Sequence, residues 1–209
     1  MNARADVALR RGLIRFYEGA LKRRPVFRYW RELDASQWWP TERIAALQFE
    51  RLRQLLLHAQ ANSPWYQGTW RVGGLDARQL SKMADFTHWP VIDRDTIRTH
   101  RMAMRASGGR TRLIQKATGG SSGVPLQFDL DSDSNERRMA AWHRGYGWAG
   151  AAPGTRQWYL WGSPPSSTAD WKKRKGRLYD ALYRRTTVSC FDLSETTVPS
   201  FAESLARTR

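Results

Sequence analysis

The segment Lys116-Ala117-Thr118-Gly119-Gly120-Ser121-Ser122-Gly123-Val124-Pro125-Leu126 concentrates three glycines and three hydroxyl residues within six positions. Glycine lets the main chain curl so that successive N–H groups turn toward one anion, and serine and threonine hydroxyls add donors at the same point. The chemistry this suits is the holding of phosphate oxygens. The run is not a Walker loop, because no Gly-Lys-Ser/Thr follows, and it is not a dinucleotide fingerprint, which needs a helix opening at the glycines. On residue chemistry alone two readings stand. One is a plain turn or flexible linker; the other is a phosphate cradle built from Thr118, Gly119, Gly120, Ser121, Ser122 and Gly123.

A cradle needs elements to hold it, and the flanking residues read as two strands, Thr111 to Thr118 and Val124 to Leu130, the second containing Pro125. Downstream, Asp131-Ser132-Asp133 caps a helix running to about Trp148, with Met139, Trp142 and Tyr146 along one side. Then come a Pro153-Gly154 turn, a strand from Thr155 to Trp161, a loop at Pro164-Pro165-Ser166-Ser167, a helix from Ala169 to Arg184, a strand from Thr186 to Phe191, and a helix after Ser194. Such alternation predicts an α/β layer with one sheet of four strands.

Upstream the chain is helical. Residues 5 to 24 form an amphipathic helix with basic flanks, expected to pack on the rest of the protein rather than on a membrane surface. Val26 to Pro40 holds Phe27, Tyr29, Trp30, Trp38 and Trp39 and reads as an irregular aromatic wrap. From Thr41, taken as an N-cap, Ile44, Leu47, Leu52, Leu55, Leu56 and Ala59 recur at helical spacing until Asn62-Ser63-Pro64. A second helix is expected over Ala77 to Phe86 and a third from Asp93, with Trp89-Pro90-Val91-Ile92 extended between them. The expected organisation is 1–40, an N-terminal helix and aromatic extension; 41–106, a helical region; and 107–209, a partial α/β region carrying the loop.

Composition excludes several classes. The chain has 209 residues, 41% of them hydrophobic, with 11 Trp, which is too much core-forming material for a disordered protein. Its single cysteine, Cys190, rules out an internal disulfide and reads as a buried small hydrophobe. No Cys/His cluster has metal-ligand spacing, and His58, His88, His100 and His143 pair with no evident nucleophile, so all four read as structural or exposed. No apolar run is long enough to span a membrane, and arginines interrupt the N-terminus where an export signal needs a continuous apolar core; the expected location is cytoplasmic. The net charge of +16, carried by 29 Arg and 6 Lys, suits phosphate contacts but is scattered, and Lys172-Lys173-Arg174-Lys175 reads as a solvated helix face.

Thr118 to Pro125 resembles the phosphate-binding loop of the adenylate-forming, acyl-activating enzymes. The upstream runs Leu52-Arg53-Gln54-Leu55-Leu56-Leu57-His58-Ala59, Asn62-Ser63-Pro64-Trp65-Tyr66 and Trp89-Pro90-Val91-Ile92-Asp93-Arg94-Asp95-Thr96-Ile97-Arg98 resemble, in order and spacing, the N-terminal region of the phenylacetate-coenzyme A ligase family and its capsule-biosynthesis relatives. The resemblance covers about residues 40 to 209. It implies the first strands and helices of that superfamily's large domain. It also implies a two-step reaction: a carboxylate attacks the α-phosphate of ATP to give an acyl-adenylate and pyrophosphate, and the coenzyme A thiol then displaces AMP.

In that scheme the loop holds the β- and γ-phosphates, with hydroxyls from Thr118, Ser121 and Ser122 and backbone approach at Gly119, Gly120 and Gly123. Leu126 departs from the pattern, standing where many relatives carry lysine, and Lys116 is a candidate substitute or an ordinary strand-edge lysine. The family's adenine-binding and magnesium-holding acidic motif, ribose aspartate and catalytic lysine all lie downstream of the matched region. The chain is therefore expected to be an N-terminal portion, inactive alone, needing ATP, Mg2+, coenzyme A, a carboxylic acid and a C-terminal complement to work. A basic nucleic-acid-binding protein and a catalytically dead scaffold are the alternatives; placement of Trp142, Trp158, Trp161 and Trp171 on element faces argues for core rather than base stacking.

Overall fold

The computed structural model describes residues 3–107, 112–118, 124–162 and 170–207. They form a mixed α/β structure, mostly helical, with two small sheets. Contacts cluster into two units, residues 34–136 and residues 1–33 with 137–209, and the division cuts one helix between Glu136 and Arg137.

In the unit of residues 34–136, α3 (Thr41–Asn62) follows Pro40, which occupies the N-cap position assigned to Thr41 from sequence, and no side chain closes that end. Its apolar stripe ends where expected, at Ser63, whose extended backbone leads into Pro64 at the first turn of α4 (Pro64–Val72). The Ser63 hydroxyl is buried and donates to the Met104 carbonyl at 3.0 Å, tying this junction to the end of α5 (Arg94–Met104). The Asp93 carboxylate accepts from Thr96 N–H at 2.8 Å and caps α5 as its position predicts.

The helix expected over Ala77 to Phe86 is instead two short 3-10 turns, Ala77–Gln79 and Met83–His88. Aspartate chemistry explains the difference: Asp76 accepts from Arg78 N–H, and Asp85 accepts from both Ser81 and Lys82 N–H, all at 3.0 Å. The Asp76 bond is an N-cap that a helix could keep, but Asp85 captures the Ser81 and Lys82 donors that a continuous helix would need. Leu56, Trp70, Ala77 and Leu80 form the core here, and Trp89 meets Trp70 edge-on at 4.5 Å.

Strands β1 (Ile114–Ala117) and β2 (Gln127–Leu130) complete the unit as an antiparallel pair in the register Gln115 with Asp129 and Ala117 with Gln127. Because side chains alternate, Gln115, Ala117, Gln127 and Asp129 share one face, and Lys116 and Phe128 the other.

The other unit holds α1 (Ala3–Phe16), a π-helical turn at Tyr17–Leu21, α2 (Val26–Ser36), most of α6 (Ser132–Trp148), β3 (Gln157–Trp161), α7 (Asp170–Tyr183), β4 (Arg185–Ser189) and α8 (Val198–Ala206). The aromatic stretch from Val26 to Pro40, read as an irregular wrap, is thus helical over Val26–Ser36, and Trp38 and Trp39 lie in the turn after it. Val26, Tyr29, Trp30 and Leu33 recur at helical spacing and pack on Met139 and Ala140 of α6. Pro153-Gly154 makes the expected turn, and it needs its glycine: Gly154 has φ +96°, and a Cβ there would lie 2.9 Å from the Val7 carbonyl of α1.

Strands β3 and β4 run parallel, joined through α7, and are separate from the β1–β2 pair. The single four-stranded sheet expected from strand and helix alternation is therefore corrected to two two-stranded sheets. Each short strand satisfies its backbone with the next one along the chain, β1 through a hairpin and β3 through a helical crossover. Cys190, expected to be buried, is exposed. It opens a 3-10 turn just after β4, so it leaves the strand before reaching the core.

Glu18 lies in the π-helical turn with no solvent exposure. Its carboxylate accepts from Arg24 at 2.8 Å and from the Tyr183 hydroxyl at 3.1 Å. Burial pushes the Tyr183 phenol far above its ordinary value, so the hydroxyl stays protonated and donates. His143 packs near Phe27, Trp30 and Tyr183, and its burial, with Arg24 and Arg185 nearby, brings its pKa down to about 4. It is neutral at pH 7 and is a packing residue. His58, His88 and His100 are exposed.

Candidate phosphate loop and its clamp

Thr118 and Leu126 close the neck of the β1–β2 hairpin. Thr118 N–H donates to the Leu126 carbonyl at 3.0 Å, and Leu126 N–H donates to Thr118 Oγ1 at 3.0 Å. The second bond gives Thr118 a job that its sequence reading did not include. Its oxygen is engaged as an acceptor, which leaves the single hydroxyl hydrogen free for a ligand. Leu126, the departure from the lysine pattern, contributes its backbone to this neck whatever its side chain. Gly119, Gly120, Ser121, Ser122 and Gly123 lie outside the described residues, as do Pro164-Pro165-Ser166-Ser167 and the side chains of Trp161 and Trp171. The glycine-rich segment links two paired antiparallel strands and does not open a helix, so the segment's exclusion from the dinucleotide class stands on topology as well.

Lys116 pairs in register with Phe128 and is half-buried, on the face opposite Gln115 and Asp129. Its residue type made it a candidate phosphate ligand, and its strand position is consistent with the plainer reading too.

One face of the hairpin is clamped by α5. Arg101 reaches Asp129 at 2.8 and 3.3 Å and the Gln127 carboxamide oxygen at 2.7 Å. Arg105 forks onto the same carboxylate at 2.8 and 3.1 Å. Both guanidinium planes meet Asp129 in paired contacts, the geometry in which arginine binds carboxylate most firmly. Only 9% of the Asp129 side chain is exposed. Hydrogen bonds from Arg105, against a smaller opposing effect of burial and with help from Arg101, hold its carboxyl below the usual carboxylate range.

None of these clamp residues stood out from the sequence. The available signal was local: Arg101 in the last turn of α5 and Arg105, which caps its C-terminus, are four residues apart. Their partner, Asp129, is 24 residues beyond Arg105, and nothing in the spacing identifies it.

A cavity of about 490 Å³ opens beside the clamp, with Tyr66, Ile97, Met104 and Phe128 on its walls. That volume suits a small organic molecule. Its lining carries two arginines, Arg101 and Arg105, and two aspartates, Asp129 and Asp131, and both arginines are paired with Asp129. Among the described residues no three His, Cys, Asp or Glu side chains come together as a metal site. No helix among them is long and apolar enough to cross a membrane. Compared with protein-family models and with curated proteins, the sequence matches none.

Proposed function

We propose that this chain carries the triphosphate-holding part of an ATP-dependent, AMP-forming ligase that activates an acyl or aryl carboxylate and passes it to coenzyme A. The fold that goes with this reading is the first part of the adenylate-forming large domain. The observation that carries it is the loop itself: Thr118 to Gly123 holds three glycines and three hydroxyls, and two Thr118–Leu126 hydrogen bonds draw its ends together. Closing the ends removes part of the entropy that a free glycine-rich linker would lose on gripping an anion. Thr118, Ser121 and Ser122 would donate hydroxyl hydrogens to phosphate oxygens, and the glycines would let backbone N–H groups approach. Donors fixed in this way stabilise charge that grows on departing pyrophosphate.

The described residues supply no carboxylate cluster for magnesium, so no metal-dependent step is assigned to them. Adenine, ribose and coenzyme A contacts belong, in this reading, to a C-terminal complement. The nucleic-acid alternative is less well supported, because several of the aromatic rings are engaged within the protein. Trp70 is buried against Trp89, and the Arg43 guanidinium covers Trp39 at 3.6 Å instead of leaving both for bases and phosphates.

The test is calorimetric titration of the 209-residue chain at physiological salt with tripolyphosphate, ATP and AMP. Tripolyphosphate and ATP are expected to bind alike, with Kd near the millimolar range, on the order of −4 kcal/mol. AMP is expected not to bind, and ATP to be recovered without acid-dependent pyrophosphate release. Binding that follows the adenosine instead of the phosphates, or robust acid-dependent release by the chain alone, contradicts the reading.

A further inference from the structure

We infer that the outer face of α1 docks on an anionic lipid surface. Along this helix Leu9, Leu13 and Phe16 recur at spacings of four and three, which places them in one stripe, and they are 56%, 50% and 60% exposed. Leu21, in the turn that follows, is 65% exposed. These side chains are not needed to seat the helix. Other residues do that: on the opposite face Ile14 is fully buried, Val7 is half-buried against the Gly154 turn and Arg11 donates to the Pro153 carbonyl at 3.5 Å, and at the edge of the stripe Asp6 pairs with Arg184. The helix thus has one committed face and a second apolar stripe with no partner among the described residues of its unit.

Charge selects the occupant. The two acids of the segment are consumed internally, Asp6 by Arg10 and Arg184 and Glu18 by Arg24. Arg15, Lys22 and Arg23 of the same segment are exposed, Arg15 over the Phe27 ring and Lys22 over those of Tyr17 and Tyr179, so the charge that this segment presents to solvent is cationic. An apolar stripe about 10 Å long from Leu9 to Phe16, on a segment whose exposed charges are cationic, matches a helix lying in the headgroup plane, with leucine and phenylalanine at the acyl boundary and cations among the lipid phosphates. A nucleic acid would neutralise the same cations but offers nothing apolar to cover four large hydrophobic side chains. This inference is independent of the phosphate loop.

The experiment is co-sedimentation of the full chain with phosphatidylcholine vesicles, with and without phosphatidylglycerol. Binding is expected with the anionic lipid and to be at least about tenfold weaker on phosphatidylcholine alone or in raised salt. Leu13→Glu with Phe16→Glu is expected to weaken it at least tenfold while the far-ultraviolet circular dichroism is unchanged. A second variant, Arg15→Gln with Lys22→Gln and Arg23→Gln, keeps the stripe intact and is expected to lose most of the preference for anionic vesicles. Failure to bind anionic vesicles overturns the inference, as does binding that the stripe variant leaves unchanged. So does a dimer in solution that the stripe variant dissociates, since a second copy would then be the occupant.

Discussion

Replacing Asp129 with alanine is expected to release the hairpin from α5 and to destabilise residues 34–136 by about 2 kcal/mol. The carboxylate is the shared acceptor of two arginine forks, and its removal takes from Arg101, 17% exposed, the carboxylate it is paired with. Fully buried pairs lose about 3–5 kcal/mol on such truncation and exposed ones about 1 kcal/mol or less; Arg105 is a third exposed, which sets the value between them. A chain of this length should show a melting temperature lower by about 4–8 °C. Amide hydrogen exchange should locate the effect, with the Thr118 and Leu126 amides exchanging faster than those of α3. The pH dependence has a definite sign. Because the folded-state carboxyl titrates below its ordinary value of 3.8, its contribution is full above that pH and is lost as pH falls through the folded-state value. Asp129→Ala should therefore flatten the stability profile below about pH 4. An unchanged melting point and unchanged hairpin exchange would show that the clamp does not hold the hairpin.

Replacing Glu18 with alanine is expected to cost more, about 3–5 kcal/mol, and to lower the melting temperature by roughly 10 °C. Glu18 has no exposed surface, and its two oxygens answer two different donors, Arg24 and Tyr183. Water cannot take over as acceptor without opening the π-helical turn, so the Tyr183 hydroxyl loses its acceptor at full desolvation cost. Glu18→Gln retains one acceptor and nearly the same volume, and should fall between the two. Thermal unfolding followed by circular dichroism reads all three proteins. A loss below about 1 kcal/mol for the alanine variant would mean that the pair is no more than a surface ion pair in effect.

Legibility in the sequence followed the range of the interaction. α3 was visible because its leucines repeat at helical spacing and Pro64 stops it, and the Asp93 cap because donor and acceptor lie three residues apart. The hairpin flanking Thr118 and Leu126 was visible from glycine between β-forming runs. α2 carries a local signal too: Val26, Tyr29, Trp30 and Leu33 hold the helical repeat, which Phe27, Trp38 and Trp39 obscure. The break at Asp85 depends on its capture of the Ser81 and Lys82 N–H groups outweighing helix propensity. The clamp on Asp129, the burial of Glu18 and the pairing of strands into two sheets depend on partners distant in the chain. No local spacing encodes them. For the candidate site, the loop residues and the helix from Asp93 were readable, and the grip of that helix on the hairpin was not.

The most direct test of the central claim is tripolyphosphate titration of the Ser121→Ala, Ser122→Ala double variant beside the unaltered chain. Both proteins keep the net charge of +16, so any attraction due to charge alone is common to them. If the loop is the cradle, removing two hydroxyl donors to a charged ligand weakens binding by at least about tenfold, with melting temperature unchanged. Equal binding by the two proteins would place the phosphate contacts elsewhere on this basic surface and would contradict the account.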